Sequence, residues 1–479
     1  MNRTALFGLG LAMCAVFHCG PAISASAARP PNIILVMADD QGWGDMAYNG
    51  HPKLKTPHFD AMAREGIRFD RFYAAAPVCS PTRGSVLTGR TPNRYACYSW
   101  GHPLRPQETT LAQTLKKNGY RTGHSGKWHL GSGEKGSPVN PGAVGFDVWA
   151  SSPNYFDLNP ILSIEGKAVP FDGDSSDVTM DIALKFIRES AAKKERFLAV
   201  IWFGSPHIPH EALEADAKEY AGEPIEKRNF YAEITAMDRA VGRLRDSLRE
   251  LGIRDNTVLW YCSDNGALKG VGSSGGRRGH KGQVYDGGLM VPGLLEWPKR
   301  FPVPSVVTVP CITSDIFPTV LAAAGVKPGT KRPLDGINLL PILSGKTKER
   351  PQPLGFWDYP KPGVRTPAKE WMEALYAEQK EGRANSAPER LFLDAGTIKD
   401  RLPLDSFAGH AAWIDGGWKL HRIQNPKTGT VEWELYDLAA DLKESRNQFV
   451  DQPKRAAAMQ RQLESWLQSV ARSHNGEDL

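Results

Sequence analysis

Four short stretches of the chain are almost wholly apolar: NIILVMA (32–38), FLAVIWF (197–203), TVLWYC (257–262) and VPGLLEW (291–297). Runs of this length without alternation predict strands buried on both faces, as in a parallel sheet. Between them the period changes. Ile234, Met237, Val241, Leu244, Leu248 and Leu251 recur at spacings of three and four. That stripe predicts a helix over about 229–250, ended by Gly252. Weaker patterns predict helices over 109–118, 178–190 and 314–324. Strands alternating with helices imply an α/β fold with a large, mostly parallel sheet flanked by helices.

The pattern shifts after Pro351. A stretch rich in Pro, Gly and charge, to about Ala408, reads as irregular. AAWIDGGWKLHRI then predicts a hairpin turning at Asp415-Gly416-Gly417. VEWELYDL predicts a further strand, and residues 452–471 a terminal helix. The expectation is a catalytic-sized domain over 28–350 and a smaller α+β subdomain, with the irregular insertion, over 351–479. At 479 residues the chain has ample material for a hydrophobic core.

The N-terminus sets the compartment. Arg3 precedes an apolar run (5–17), and Ala25-Ser26-Ala27 has the small-x-small form of a cleavage site. Residues 1–27 are therefore expected to be a signal peptide, which makes the protein periplasmic or secreted. Bulky residues before Cys14 and Cys19 argue against a lipoprotein reading. No segment approaches transmembrane length. Cys79, Cys97, Cys262 and Cys311 remain, too few and too scattered for a disulfide framework. Net charge is +6, or +5 once Arg3 leaves. No basic-aromatic pattern points to nucleic acid.

The candidate chemistry lies where the predicted strands end. Asp39 and Asp40 follow the first strand, and Asp264 and Asn265 follow TVLWYC. Parallel strands align their carboxyl ends along one edge, where ligand sites form. These hard oxygen donors suit Ca²⁺, with Mg²⁺ as second choice. Capping of a helix or turn is the plainer alternative for either pair alone. Cys79 opens CSPTR; Pro81 suits a first helical turn, and Arg83 lies close behind. A thiol at a helix N-terminus is expected to be activated; a small buried junction residue is the alternative. Further cations follow strand ends or sit in Gly-rich loops: Lys127 and His129 in GKWHLG, His207 and His210 in SPHIPH, His280 and Lys281 in GHKG. Beside a divalent cation they suggest a pocket for a multiply charged oxyanion.

These motifs, in this order, resemble a known family. CSPTR fits the C-x-P-x-R signature of the formylglycine-dependent sulfatases of the alkaline phosphatase superfamily. ADDQGWGD, TGRTPNR, GKWHLG, GFDVW, SPHIPH, SDNG and GHKGQVYDGG agree. Arylsulfatases and N-acetylgalactosamine-6-sulfatases look nearest. The resemblance implies an alkaline phosphatase-like fold and a Cys79 oxidised to formylglycine by a separate formylglycine-generating enzyme. It implies one Ca²⁺ held by Asp39, Asp40, Asp264 and Asn265, with the converted Cys79 counted among the ligands. Arg83 would hold the formylglycine hydroxyl, and Lys127 and Lys281 would neutralise sulfate oxygens. His207 would protonate the leaving alcohol, shared with Lys281, and His129 would assist release of sulfate.

Two departures stand out. Some arylsulfatases carry Ser-His where this chain has Tyr155 and Phe156, with Ser151 and Ser152 nearby. Asp286-Gly287-Gly288 and Met290 replace a common Glu-Gly-Gly and arginine. The expected substrate is a sulfated carbohydrate, first of all a galactose or N-acetylgalactosamine unit. Candidate specificity loops are 93–107 (Tyr95, Tyr98, Trp100, His102), 151–174 and 351–410 (Trp357, Tyr359), whose aromatic residues serve either sugar stacking or ordinary packing. The alternatives are a phosphonate or phosphodiester hydrolase, and a non-catalytic protein that binds sulfated glycans.

Overall fold

The computed structural model describes Met1, residues 29–383 and residues 387–479. The expected signal segment and its cleavage site fall outside the described residues. Among those described, no helix is long and apolar enough to cross a membrane.

The large sheet has eleven strands: β1 (Asn32–Ala38), β2 (Ile67–Tyr73), β3 (Tyr120–Lys127), β4 (Val148–Ser152), β5 (Ile161–Ile164), β6 (Lys167–Pro170), β7 (Arg196–Trp202), β8 (Thr257–Ser263), β9 (Met290–Glu296), β10 (Ser305–Val307) and β11 (Cys311–Ile312). Their order is β10-β2-β9-β8-β1-β7-β3-β4-β5-β6, with β11 also on β2. Strand β1 lies at the centre, parallel to both β7 and β8. Its apolar run explains the position. Ile33, Leu35 and Met37 enter one core, while Ile34, Val36 and Ala38 enter the other. The second core holds the predicted stripe on the helix Ile225–Glu250, which begins a turn earlier than expected. The first holds the helices Leu111–Lys117 and Ile316–Ala324.

Two features differ from expectation. VPGLLEW does form a buried strand, but β9 runs antiparallel to β2 and β8. Burial on both faces produces an apolar run whatever the direction, so composition could not give the polarity. Strands β2, β3 and β4 are not apolar runs. IRFDRFY and YRTGHSGK carry charges and glycines that mask them.

A second, antiparallel sheet is formed by β12 (Leu354–Asp358), β13 (His410–Asp415), β14 (Trp418–Gln424) and β15 (Val431–Asp437). The stretch expected to be irregular therefore contributes β12, and also a helix, Ala368–Lys380. The prolines and glycines there punctuate these elements without excluding them. One face of this sheet packs on the terminal helix Pro453–His474 through Leu463, Leu467 and Val470. The other face packs on the large sheet through Phe356, Ala412 and Ile414 against Tyr73, Leu289 and Met290.

Candidate active site

The centre forms where β1, β8, β7, β3 and β2 end together. Asp39 continues β1, its N–H donating to Ser205 O at 3.0 Å. Asp40 then takes a left-handed conformation (φ 69°), which Asp tolerates better than most residues. This turn points its N–H at Asp264 Oδ1, 3.0 Å away, and so ties the ends of β1 and β8. Asn265 Nδ2 donates to Asp40 Oδ1 at 2.8 Å. All four side chains are buried.

Cys79 opens the helix Cys79–Thr88, and Arg83 follows one turn later. Its guanidinium donates to Asp264 Oδ2 from Nη2 (2.7 Å) and Nε (3.1 Å), and to Lys127 O (3.3 Å). Lys127, the last residue of β3, donates to Asp39 Oδ2. Ligand atoms of Asp39, Cys79 and Asp264 all lie within 4.8 Å of one another.

Lys281 precedes its strand rather than following one. Because β9 is reversed, the loop before it returns to the edge where β8 ended. Lys281 N–H donates to Ala267 O (2.9 Å) and Gly282 N–H to Pro77 O (2.9 Å), which fixes the loop between the Asp264 turn and the approach to Cys79. Backbones meet closely here: a Cβ on Gly266 would come within 2.2 Å of Gly287 O. Lys281 Nζ reaches Asp40 Oδ2 at 2.6 Å. His207 Nε2 lies 3.7 Å from the same oxygen, and its Nδ1–H donates to Ile208 O. His129 Nε2 hydrogen-bonds Thr366 Oγ1 at 3.2 Å.

Electrostatics follow from burial. Burial, with the charge of Asp264, raises the Asp39 carboxyl to about 8 against the pull of Lys127 and Arg83. Burial also pushes Asp40 upward, but Lys281, His207 and Lys127 outweigh it and hold Asp40 well below the usual carboxylate range. Lys281 is raised despite burial, because Asp40, Cys79 and Asp39 surround it. Burial holds His129 and His207 well below their ordinary value. The Cys79 thiol corrects an expectation. Burial raises it, and Lys127 and Lys281 only partly offset that, so the unmodified sulfur is not an activated thiolate.

The donor set fits a hard cation. Asp39 Oδ1 and Asn265 Oδ1 are buried with no hydrogen-bond partner. Lone acceptors of this kind are costly unless something electropositive satisfies them. Three carboxylates and one amide match calcium or magnesium chemistry.

Other sequence candidates fall elsewhere. His210 turns to Glu233 (3.8 Å) and packs edge-on to Phe230. His280 Nδ1 bonds Lys281 O. Tyr155 stacks on His207, whereas Phe156 joins a small core with Leu162 and Val178. Ser151 Oγ bonds His124 (2.7 Å), while Ser152 lines a cavity beside Tyr155. Of the aromatic specificity candidates, Tyr95, Tyr98 and Trp357 are buried in cores, and His102 bonds two backbone carbonyls. Trp100 alone of these lies exposed, at the rim of that cavity. Cys97, Cys262 and Cys311 are buried and unpaired.

Thr366 and a polar cluster behind the site were not anticipated. Lys419 Nζ, fully buried, bridges Asp286 Oδ1 (2.7 Å) and Glu444 Oε1 (3.1 Å); His421 also bonds Glu444, at 2.7 Å. Tyr73 OH donates to Asp286 Oδ2 at 3.2 Å. Lys419 and His421 alternate along β14, so their period of two was the available signal.

A buried cluster of acids and cations thus sits at the carboxyl edge of a sheet covered on both faces. The Sulfatase family model matches residues 31–326. The N-acetylgalactosamine-6-sulfatase of Mus musculus is 33% identical over 373 residues, covering 69% of each chain. Human (Homo sapiens) arylsulfatase A is 33% identical over 376 residues, covering 71% of this chain and 73% of its own. The solved structure of Ps i-CgsB in complex with k-i-k-neocarrahexaose superposes with a TM-score of 0.76 at 23% identity, covering 93% of this chain and 94% of that one. The chain belongs to the sulfatase family. It is a sulfuric ester hydrolase with the alkaline phosphatase-like fold.

Proposed function

We propose that the enzyme hydrolyses sulfate esters of carbohydrates through a formylglycine made from Cys79 and one bound Ca²⁺, with Mg²⁺ as second choice. The observation that carries this reading is the approach of Cys79, Asp39 and Asp264 within 4.8 Å, beneath Lys127 and Lys281. Simple glycan binding would not need a cysteine there. Asp39, Asp40, Asp264 and Asn265 would hold the ion, which, when bound, withdraws charge from a sulfate oxygen and favours an ionised hydroxyl on residue 79.

The side chains then divide the work. Lys127 and Lys281 neutralise sulfate oxygens. Arg83, anchored on Asp264, orients a hydroxyl of the hydrated aldehyde. That hydroxyl attacks sulfur, and the sulfur–oxygen bond to the alcohol breaks. His207 and Lys281 stand where the departing oxygen takes its proton. The second hydroxyl next loses its proton with help from His129, sulfate departs, and the aldehyde is restored for rehydration. A serine would stop as a stable sulfate ester.

The sugar reading draws on the names of the similar proteins, an N-acetylgalactosamine-6-sulfatase and a structure holding a neocarrahexaose. A sulfated galactose or N-acetylgalactosamine unit is the first substrate to try. Export by the N-terminal segment, to periplasm or exterior, and maturation by a formylglycine-generating enzyme complete the proposal. The test is the mass of the Cys79 peptide from cells that carry that machinery. An aldehyde trapped by a hydrazine reagent supports the mechanism. A free thiol, beside a converted control sulfatase, overturns it. Turnover of sulfate esters well above phosphate esters excludes the phosphonate or phosphodiester alternative.

A further inference from the structure

Of the charged side chains in the centre, Asp39, Arg83, Lys127 and Asp264 are wholly enclosed. His207 and Lys281 are 14% and 21% exposed, so the mouth of the site opens between them. An alcohol leaving sulfur emerges at that mouth.

Two cavities lie beside it. One, of about 480 Å³, runs past Tyr155 and Thr366 to Trp100. Two of its lining residues touch the centre, Tyr155 on His207 and Thr366 on His129. The other, of about 640 Å³, runs past Lys281 to Leu268 and Ile225. Pro209 borders both, so the segment after His207 is the divide between them. Each is large enough for a bound small molecule of ordinary size. Their linings differ. The first offers the exposed Trp100, and its acids outnumber its cations, with Asp157 and Glu211 facing Lys369. The second offers Lys281 and Lys269 against Glu226.

An enzyme confined to chain ends needs room on one side of the sulfated unit only. We infer that this enzyme, on the sulfatase reading above, removes sulfate from internal residues of a carbohydrate chain. Sugar units on one side of the sulfated residue lie in the Trp100 cavity, and further anionic units lie in the Lys281 cavity.

The probe is a chondroitin 6-sulfate pentasaccharide with sulfated N-acetylgalactosamine at both ends and in the middle. A hexasaccharide of sulfated galactose units serves as the second probe, and 4-nitrophenyl sulfate as the control. Tandem mass spectrometry after partial digestion locates the first sulfate lost. Loss from the middle residue at least as fast as from the ends is expected; loss confined to an end overturns the inference. Ile225→Trp, which narrows the Lys281 cavity far from the reacting atoms, should slow the middle position at least fivefold and leave 4-nitrophenyl sulfate turnover unchanged. Equal effects on all positions also overturn it. Hydrolysis of the aryl ester with every sugar untouched overturns the carbohydrate reading. No turnover by protein with a converted Cys79 overturns the sulfatase mechanism itself.

Discussion

Tyr155 lies face to face with His207, their ring centroids 4.4 Å apart and their planes 17° from parallel. With Nδ1–H held by Ile208 O, the imidazole is fixed in plane and Nε2 faces Asp40 Oδ2. Stacks of this kind are worth about 0.5–1.5 kcal/mol. Tyr155→Ala should lower kcat by up to about tenfold, while Tyr155→Phe keeps most of it. Steady-state turnover of an aryl sulfate by both variants decides the matter; equal losses would shift the role from the ring to the hydroxyl.

The buried oxygens of Asp39 and Asn265 that accept no hydrogen bond predict a metal effect visible without catalysis. Adding Ca²⁺ to chelator-stripped protein should raise its melting temperature, by about 2.7 kcal/mol of added stability at a hundredfold excess over Kd. Asp264→Ala should abolish that shift, since it removes a ligand and frees Arg83 from its anchor. A rise of the same size in the variant would place the ion elsewhere.

Lys419 joins the second sheet to the loop that carries Lys281, through Asp286 and Glu444. Lys419→Met leaves two buried carboxylates facing each other without a cation, a change that costs about 3–5 kcal/mol. Asp286→Asn in the same chain should recover part of that loss. Denaturant midpoints for the two single variants and the double variant give the coupling; strict additivity would mean that the three groups do not act together.

Much of this site could be read from residues because its signals are local. Asp39, Asp40, Asp264 and Asn265 each follow an apolar strand directly, and parallel strands put their ends on one edge. Lys127 was found by motif even though its own strand, YRTGHSGK, was not. Its glycines and polar groups remove the apolar run while still pairing with β4 and β7. The polarity of β9 was hidden because burial on both faces erases alternation. Thr366 and Glu444 reach the site region from more than two hundred and one hundred fifty residues away respectively, as partners of His129 and Asp286. Their positions depend on how the second sheet docks, which no window of sequence records. Burial, which the sequence does not record, raises the thiol of Cys79 and agrees with the junction-residue alternative for the unmodified side chain.

Asp157, in the Trp100 cavity, has its carboxyl raised to about 7 by burial and by the charge of Glu211, against Lys369. It is neutral below that pH and negative above it. An anionic oligosaccharide should therefore bind less well as pH climbs through 7, seen as a rising KM with little change in kcat. Asp157→Asn should level the KM profile. A profile unchanged in the variant would assign the dependence to another group.

The reversal of β9 has an architectural consequence. The chain departs the sheet at Ser263 and rejoins it at Met290, on the same edge. Between those points lie Asp264 and Asn265 at one end and Lys281 near the other, stitched by the Gly266–Gly288 and Ala267–Gly287 backbone bonds. One excursion with a closed base thus brings Asp264, Asn265 and Lys281 to Asp39 and Asp40, which the end of β1 supplies. Its tip, from Leu268 to Gly279, can lengthen or shorten without disturbing a single strand pairing.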